Sequence, residues 1–389
     1  MRPTARGIGL LIAGGTLGVV AAAVGGLDLA RFAALLLGLL GVALGAVLVT
    51  RVRAAGVRAR RVVDPDRPVV GQWAAVHLQI EGGRLGAWSR LRERTPAQVQ
   101  RSPVTPTPAG WTYRIRPGQR GYVGLGPSTV VHGDPLGLVR WRVPGDRGEP
   151  VLVWPRTLPL AGLHRLRDLG GGDAAAFGSP ERSVEDLTVR EYVEGDDLHR
   201  VHWRSSARRG QLMVRSDEPS RPHAFDLVLD IKRGAGAEWA VSAFASLAVR
   251  LLTEGIPVRL HTCRRAGPEA EPEMSTHTCT DPATALDVVA TATATPAGWQ
   301  NEVATAVPPA APCVIAVFQQ PRPALLARLA RVPQPRRSFA LVVSERLEAV
   351  ASLSGMAAQG WAVHTARPHA DLAGIERAWD ELLAPVRLR

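Results

Sequence analysis

Two uncharged apolar runs near the N-terminus constrain this chain more than any other feature. Residues 8–24 and 32–50 contain no charged side chain. Each run approaches the about 20 residues that an α-helix needs to cross a hydrocarbon core of about 30 Å, and a helix satisfies its own backbone hydrogen bonds there. Since the intervening residues 25–31 are too few for more than a turn, the sequence predicts a transmembrane helical hairpin, with helices at about residues 8–27 and 32–50.

The charges that flank the two runs predict the orientation of the hairpin. Arg2 and Arg6 precede the first run, Asp28 and Arg31 cancel within the turn, and a group of arginines follows the second run: Arg51, Arg53, Arg58, Arg60 and Arg61. By the positive-inside rule, both ends of the hairpin (residues 1–57) face the cytoplasm. We therefore expect a multi-pass protein of the cytoplasmic (plasma) membrane, with its bulk in the cytoplasm and its basic flank against anionic membrane lipid. A cleaved signal peptide over the first run would leave the second run as the anchor.

The composition argues against disorder, a disulfide framework and a nucleic-acid partner. Hydrophobic residues make up 46% and charged residues 21%, the balance of a globular body. The formal net charge is +12, but the arginines are spread along the chain and do not form the clustered patch typical of nucleic-acid binding. Cys263, Cys279 and Cys313 are too few and too dispersed for a disulfide framework or a zinc cluster, and unpaired cysteines suit a cytoplasmic body.

Residues 58–156 carry the signals of short strands. Val76–Ile80, Trp111–Arg116 and Val139–Val143 alternate apolar and polar residues, and glycine, proline and aspartate turn signals separate them. Many short strands without a helical period predict an antiparallel β-sandwich-like domain. The Gly/Ala/Arg-rich segment 157–187 follows, and we expect it to form a loop.

From residue 222 to residue 389, apolar strands alternate with amphipathic helices. Phe225–Asp230 has the pattern of a buried strand, and Glu238–Leu252 has helical spacing. The same alternation predicts strands at 258–262, 313–318, 339–343 and 362–364, and helices at 282–294, 324–331, 347–359 and 371–383. Apolar strands between such helices predict an α/β domain with a mostly parallel sheet covered on both faces.

Residues 188–221 hold the densest motif of the chain. It reads Arg190-Glu191-Tyr192-x-x-Gly195-Asp196-Asp197, followed by Val201-His202-Trp203-Arg204-Ser205-Ser206-Ala207-Arg208. The pattern predicts a turn at Gly195, a short helix over residues 198–209 and a strand over residues 211–215. With the order of hairpin, β-rich segment and α/β region, this motif resembles the bacterial family called domain of unknown function 58. Two other segments resemble further parts of that family: Arg120-Gly121-Tyr122 and Asp134-Pro135-Leu136-Gly137-Leu138.

The resemblance implies an architecture and a partner class, but no reaction. Members carry a C-terminal domain similar to the von Willebrand factor A fold and are linked with ring-forming AAA+ ATPases of the MoxR type. Such domains bind Mg²⁺ through the hard oxygen ligands of Asp-x-Ser-x-Ser. The matching stretch here, Asp230 to Gly234, has Lys232 and Gly234 in place of the serines. We therefore expect a degenerate metal site without Mg²⁺, with Asp230 paired to Lys232 or capping a helix.

We expect the signature segment to form an interaction surface. Its candidate residues are Arg190, Tyr192, Gly195, Asp196, Asp197, Trp203, Arg204, Ala207 and Arg208. Asp196 and Asp197 are predicted as turn and N-cap groups that pair with Arg190 or Arg204. Trp203 is predicted as a core or interdomain anchor, because an indole buries a large apolar area.

Two functions follow from these observations. The first is a membrane-anchored, cytoplasm-facing interaction or scaffold protein, not an enzyme, that works with an AAA+ ATPase in the assembly or remodelling of envelope complexes. The second is a metal-dependent hydrolase that uses Asp196, Asp197, His199 and His202, since residues three apart share a helix face. The arginines beside these four residues would repel a cation, no catalytic constellation is recognisable elsewhere, and no cofactor is expected.

Overall fold

The computed structural model describes two compact units of the chain, Met1–Pro155 and Arg156–Arg389. The residues described are 2–53, 58–81, 88–145, 147–160, 189–192, 201, 203–215, 224–234, 236–265, 270–296, 299, 306–307, 313–319, 337–345, 351–358, 360–369 and 371–383.

Two apolar helices open the first unit, as the sequence predicts. They are α1 (Ala5–Val24) and α2 (Leu27–Arg53), and both are long and apolar enough to cross a membrane. Their large apolar side chains are mostly exposed, which suits a pair of helices that faces lipid. The predicted turn over residues 25–31 is longer than the observed one. Gly25 ends α1 in the left-handed conformation with φ 68°, and α2 already begins at Leu27.

The remainder of the first unit is rich in sheet. The strands are β1 (Arg2–Pro3), β2 (Arg58–Asp64), β3 (Ala74–Glu81), β4 (Ser89–Glu93), β5 (Val99–Arg101), β6 (Thr105–Thr107), β7 (Gly110–Pro117), β8 (Gly121–Gly124), β9 (Ser128–Gly133), β10 (Val139–Pro144) and β11 (Pro150–Val153). One sheet has the order β1-β10-β9-β4, a second has β2-β3-β7-β5 with β6 also on β7, and β11 pairs with β8. All of these pairings are antiparallel, so the sheet-rich prediction is confirmed.

The two larger sheets of this unit share an apolar core. Leu91 of β4 and Val130 of β9 pack in one cluster with Leu78 of β3 and Trp111 of β7. The alternation along each strand places these side chains on the inner faces. Burial of their apolar surface holds the two sheets together.

The extreme N-terminus belongs to the β-rich domain. The strand β1 pairs with β10, and the N–H of Thr4 donates to the carbonyl of Leu138 at 2.9 Å. The Thr4 hydroxyl then caps α1 by accepting from the N–H of Gly7 at 3.2 Å. The first helix is therefore fixed to the loop between β9 and β10 at its first turn.

The loop that receives α1 is the Asp134–Leu138 segment noted in the sequence. The carboxylate of the buried Asp134 accepts from the N–H of Leu136 at 2.8 Å and from the N–H of Val139 at 2.6 Å, which fixes the shape of the loop. On its other side, the loop packs with Ala43 and Val47 of α2. Both helices of the hairpin thus contact the same short segment.

The close contact between α1 and this loop predicts that a side chain at Gly7 destabilises the junction. A Cβ at this position would lie 2.3 Å from the carbonyl oxygen of Leu138, whereas a Cβ at Gly9 meets nothing within 4 Å. We expect Gly7→Ala to destabilise the junction by about 1–3 kcal/mol, the usual cost of overpacking, and Gly9→Ala to be neutral or slightly stabilising, since alanine favours a helix. Hydrogen exchange of the full chain in detergent measures the protection of the Thr4 amide. Equal protection in the two variants would contradict the contact.

The second unit contains a six-stranded sheet of order β16-β15-β14-β17-β18-β19. Its strands, with the two that precede them, are β12 (Val189–Glu191), β13 (Met213–Arg215), β14 (Phe225–Asp230), β15 (Val258–Arg265), β16 (Pro272–Cys279), β17 (Cys313–Gln319), β18 (Arg337–Val343) and β19 (Trp361–Ala366). The helices are α3 (Trp203–Arg209), α4 (Ala237–Thr253), α5 (Pro282–Ala290), α6 (Ala351–Ala358) and α7 (Ile375–Leu383).

The alternation of strands and helices in this unit is confirmed, with one strand that the sequence pattern missed. The edge strand β16 runs antiparallel to β15, so the sheet is only partly parallel. The residues of β16 are mostly polar and partly exposed, so this strand has no apolar run that would predict it. The helix predicted at 282–294 ends at Ala290, and the helix predicted at 324–331 lies outside the described residues. Cys263, Cys279 and Cys313 are buried, and none of them forms a disulfide.

Candidate partner-binding surface

The signature segment forms a small ribbon and a short helix. The strand β12 pairs antiparallel with β13, with Arg190 opposite Val214. The N–H of Tyr192 extends this ladder by donating to the carbonyl of Leu212 at 2.9 Å. The side-chain amide of Gln211 also donates to the carboxylate of Glu191 at 2.5 Å. The signature thus contains two strands that hold each other through their backbones.

The helix α3 is fixed to this ribbon through Ser206. The Ser206 hydroxyl, which is buried, accepts from the N–H of Met213 at 2.8 Å, and Gly210 ends the helix with φ 71°. The predicted helix over residues 198–209 is wrong at Val201, because Val201 forms an antiparallel bridge with Val214. The described helix begins at Trp203. The role of Ser206 has no signal in the sequence, since a serine hydroxyl that accepts from the backbone N–H of a residue seven positions away leaves no periodic pattern.

The outer face of α3 combines an indole with arginines. Trp203 is 68% exposed, so its prediction as a core residue is wrong. Arg204, Ala207 and Arg208 are exposed as well, and residues 203, 204, 207 and 208 lie along one side of the helix. The helix contains no acidic residue. We call Trp203, Arg204, Ala207 and Arg208 the α3 surface.

The remaining signature residues are partly outside the described structure. The backbone of Arg190 lies in β12, but its side chain is outside the described residues, as are Gly195, Asp196, Asp197, His199 and His202. The pairing of Asp196 or Asp197 with an arginine, and the metal site of the hydrolase alternative, therefore stay predictions. Within the described part of the chain, no group of three or more metal-ligating side chains occurs.

The degenerate metal position lies at the carboxyl end of β14. Asp230 is buried, and the hydroxyl of Thr295 donates both to its carboxylate and, at 3.0 Å, to the carbonyl of Ile231. The backbone N–H of Lys232 donates to the side-chain amide oxygen of Gln319 on β17 at 2.9 Å. These contacts join the ends of neighbouring strands. Asp230 thus takes part in a structural hydrogen-bond network, and no sequence pattern indicates that Thr295 and Gln319 belong to it.

Comparison with known proteins supports the resemblance seen in the motif. Residues 188–247 match the family described as "Protein of unknown function DUF58". The chain is also similar to "Uncharacterized protein YeaD" of Bacillus subtilis (strain 168), with 29% identity over 126 residues, 32% of this chain and 31% of the relative. The match therefore spans about a third of that relative's length. Residues 188–247 include β12, α3, β13 and the start of the α/β region.

Proposed function

We propose that this chain, a member of the DUF58 family, is a membrane-anchored interaction protein that docks a protein partner through the α3 surface. The partner is an AAA+ ATPase of the MoxR type, and the pair works in the assembly or remodelling of envelope complexes. The body of the protein faces the cytoplasm, and the second unit is a von Willebrand factor A-like domain. Docking is the function; no catalytic step is assigned to the chain.

The exposed indole of Trp203 is the observation that carries this proposal. An indole has a large apolar surface, and 68% of this residue is left open to solvent. Tryptophan and arginine are the side chains most enriched at the energetic centres of protein interfaces. On α3 they occur together, on a helix that Ser206 fixes to a neighbouring strand. A basic surface of this kind fits an acidic partner surface.

The position of the hairpin supports the orientation. The strand β1 precedes α1 and the strand β2 follows α2, and both belong to the β-rich part of the same unit. Both ends of the hairpin are therefore on the side of that domain. Arg2 and Arg6 at one end and Arg51 at the other favour the cytoplasm for this side.

The sheet of the second unit supports a von Willebrand factor A-like domain with a degenerate metal site. Five adjacent strands of this sheet run parallel to one another, in the order β15, β14, β17, β18 and β19. Asp230 ends β14, where the family's metal ligands would begin, but Lys232 and Gly234 replace the two hydroxyls. We therefore propose docking that does not depend on Mg²⁺.

Affinity capture from detergent-solubilised native membranes tests the docking surface. We expect the wild-type chain to recover an ATPase in a nucleotide-dependent manner, with and without EDTA. Arg204→Glu/Arg208→Glu and, separately, Trp203→Ala are expected to weaken this recovery by about thirtyfold or more, the effect of losing about 2 kcal/mol at a hot spot.

The matched control is Arg377→Glu, which reverses the charge of an exposed arginine on α7 in the same unit. We expect this variant to capture the partner as the wild type does. Equal recovery by the folded Arg204→Glu/Arg208→Glu variant would remove the α3 surface from the proposal. Loss of recovery with EDTA would restore a role for metal.

A further inference from the structure

One face of the sheet β1-β10-β9-β4 is lined with arginines. Side chains at directly opposed positions of an antiparallel pair share a face, and so do residues two apart on one strand. Arg2 lies opposite Arg140, and Arg142 lies opposite Val131. On the other side of β9, Arg90 is also opposite Val131. The register thus gathers a set that we call the arginine face: Arg2, Arg90, Arg92, Arg140 and Arg142.

The two faces of this sheet have opposite characters. Val139, Trp141 and His132, which alternate with the arginines, are buried on the other face. That face packs against Ala43 and Val47 of α2. All members of the arginine face are exposed. Apolar packing therefore fixes the sheet on the hairpin and leaves the arginines open to solvent.

A pocket of about 640 Å³ lies between the arginine face and the first turn of α1. Arg2, Arg92, Arg140 and Arg142 line it, and Arg6 of α1 joins them. None of its lining residues is acidic. Its volume is in the range of sites that hold small ligands, about 300–1,000 Å³.

The charges in this pocket call for an anion. Arg2 and Arg140 are directly opposite each other, an arrangement of like charges that destabilises a strand pair. Within the described part of the chain, no ion pair links these arginines to a carboxylate. A guanidinium binds a phosphate through two parallel hydrogen bonds, so one bound phosphate would neutralise the repulsion and satisfy several donors.

The place of the pocket indicates the source of the phosphate. Arg6 lies in the first turn of α1, two residues before the uncharged run begins. If α1 crosses the membrane, this turn and the pocket beside it lie at the level of the lipid headgroups. At the same end of the sheet, the backbone carbonyl of Trp88 accepts from the N–H of Gly133 at 3.2 Å. The side chain of Trp88 is exposed, and an exposed indole suits the membrane–water interface.

We propose that the arginine face and Arg6 bind the phosphate headgroups of anionic lipids in the membrane that anchors the chain. The site holds the β-rich domain against the bilayer surface, in addition to the covalent tether of the hairpin. This inference rests on the proposed membrane anchor, but not on the α3 surface or on the identity of the protein partner.

Lipid titration of the purified full chain in a neutral detergent tests the site. Native mass spectrometry measures the binding of short-chain phosphatidylglycerol, with phosphatidylcholine and inorganic phosphate as separate arms. We expect Arg140→Gln/Arg142→Gln to bind phosphatidylglycerol about thirtyfold more weakly than the wild type, roughly fivefold for each arginine near an anionic surface. The single variant Arg92→Gln, expected to lose about fivefold, keeps the test open if the double variant does not fold.

The matched control is Arg114→Gln/Arg116→Gln, which removes the same charge at the same spacing from exposed positions of β7, on the other sheet. We expect it to bind phosphatidylglycerol as the wild type does. Equal affinity in all variants, or equal binding of phosphatidylcholine, would overturn the proposal. Inorganic phosphate that binds as tightly as the lipid would assign the pocket to a soluble ligand instead. Recovery of all variants in the membrane fraction of cells reports the anchor separately.

Discussion

Replacement of Glu93 by alanine is expected to lower the free energy of unfolding of the first unit by about 3–5 kcal/mol. Glu93 of β4 and Arg61 of β2 form an ion pair of 2.6 Å between the two larger sheets of that unit. The exposed fraction of the side chain is 0% for Glu93 and 5% for Arg61. Loss of one partner leaves a buried, uncompensated charge, which costs far more than the pair itself contributes.

The surroundings of this pair explain why the effect should be large. The Arg61 guanidinium also donates to the carbonyl of Leu125, so it is committed to the core by two contacts. Tyr113 lies beside the pair, and burial together with the charge of Glu93 raises the pKa of its phenol well above the ordinary value. Both side chains of the pair are buried, so the Arg61 charge that remains in Glu93→Ala cannot be solvated without opening the two sheets.

A surface pair in the same unit provides the control. Asp66 pairs with Arg67 at 2.7 Å, but its side chain is 87% exposed, and exposed pairs contribute roughly 0–1 kcal/mol. Hydrogen exchange with peptide resolution, on the full chain in detergent, separates unfolding of the first unit from unfolding of the second. Exchange in β3 and β7 should accelerate strongly in Glu93→Ala and little in Asp66→Ala. Similar rates in the two variants would show that the pair is solvated.

Removal of both partners separates the charge from the packing. Since an apolar replacement of a buried ion pair is often nearly neutral, Arg61→Met/Glu93→Leu should be more stable than Glu93→Ala alone. A double variant that is less stable than Glu93→Ala would assign the effect to lost hydrogen bonds of Arg61.

The buried state of Arg61 also limits what charge counting can predict. Arg61 is one of the arginines whose position after the second run favours a cytoplasmic end by the positive-inside rule. Its guanidinium lies in the protein core, so it contributes nothing at the lipid surface. Arg2 and Arg140, more than a hundred positions apart in sequence, instead meet through β1 and β10. Sequence flanks identify which charges lie near the membrane, but strand pairing decides which of them face it.

The elements that the sequence predicted well are those defined by local periodicity. The apolar runs at the N-terminus became α1 and α2, and Phe225–Asp230 is β14 with the predicted bounds. The elements that it missed depend on partners far along the chain. The two-residue strand β1 exists because β10 lies beside it, and β16 is a polar strand that exists because β15 offers an edge.

The candidate surface was predicted in its residues but not in its exposure. The motif around Trp203 predicts the residues of the candidate surface. The predicted burial of Trp203 rests on the size of the indole alone and is wrong, since Trp203 is exposed. The Ser206 contact turns the opposite side of α3 towards β13, and no periodicity in a seven-residue helix reveals which side this is. Alternation in Arg140-Trp141-Arg142 did contain the signal for a charged and an apolar face, but not for the arginines that join them from β1 and β4.

A second large effect is expected for Asp226, which resembles Asp230 in sequence but has a different environment. Both belong to β14, and both are buried. The carboxylate of Asp226 accepts from Nε2 of His261 at 2.7 Å and from the guanidinium of Arg259 at 3.1 Å. Nδ1 of His261 lies 3.1 Å from the hydroxyl of Thr276. This network joins β14, β15 and the antiparallel edge strand β16.

We expect Asp226→Ala to lower the free energy of unfolding of the second unit by about 3–5 kcal/mol, because the buried His261 and the partly buried Arg259 lose their shared acceptor. Asp281→Ala is the matched control: its carboxylate is exposed and caps α5 by accepting from the N–H of Thr284 at 2.9 Å, so its loss affects one helix end. Hydrogen exchange of the full chain should show β14, β15 and β16 opening together in Asp226→Ala, whereas Asp281→Ala should expose only the first turn of α5.

Since the Asp226 network lies away from the α3 surface in sequence and makes none of its contacts, a folded fraction of either variant should still capture the partner. If Asp226→Ala leaves exchange in β16 unchanged, the edge strand is held by its backbone ladder with β15 alone, and the network is a consequence of the fold and not a cause of it.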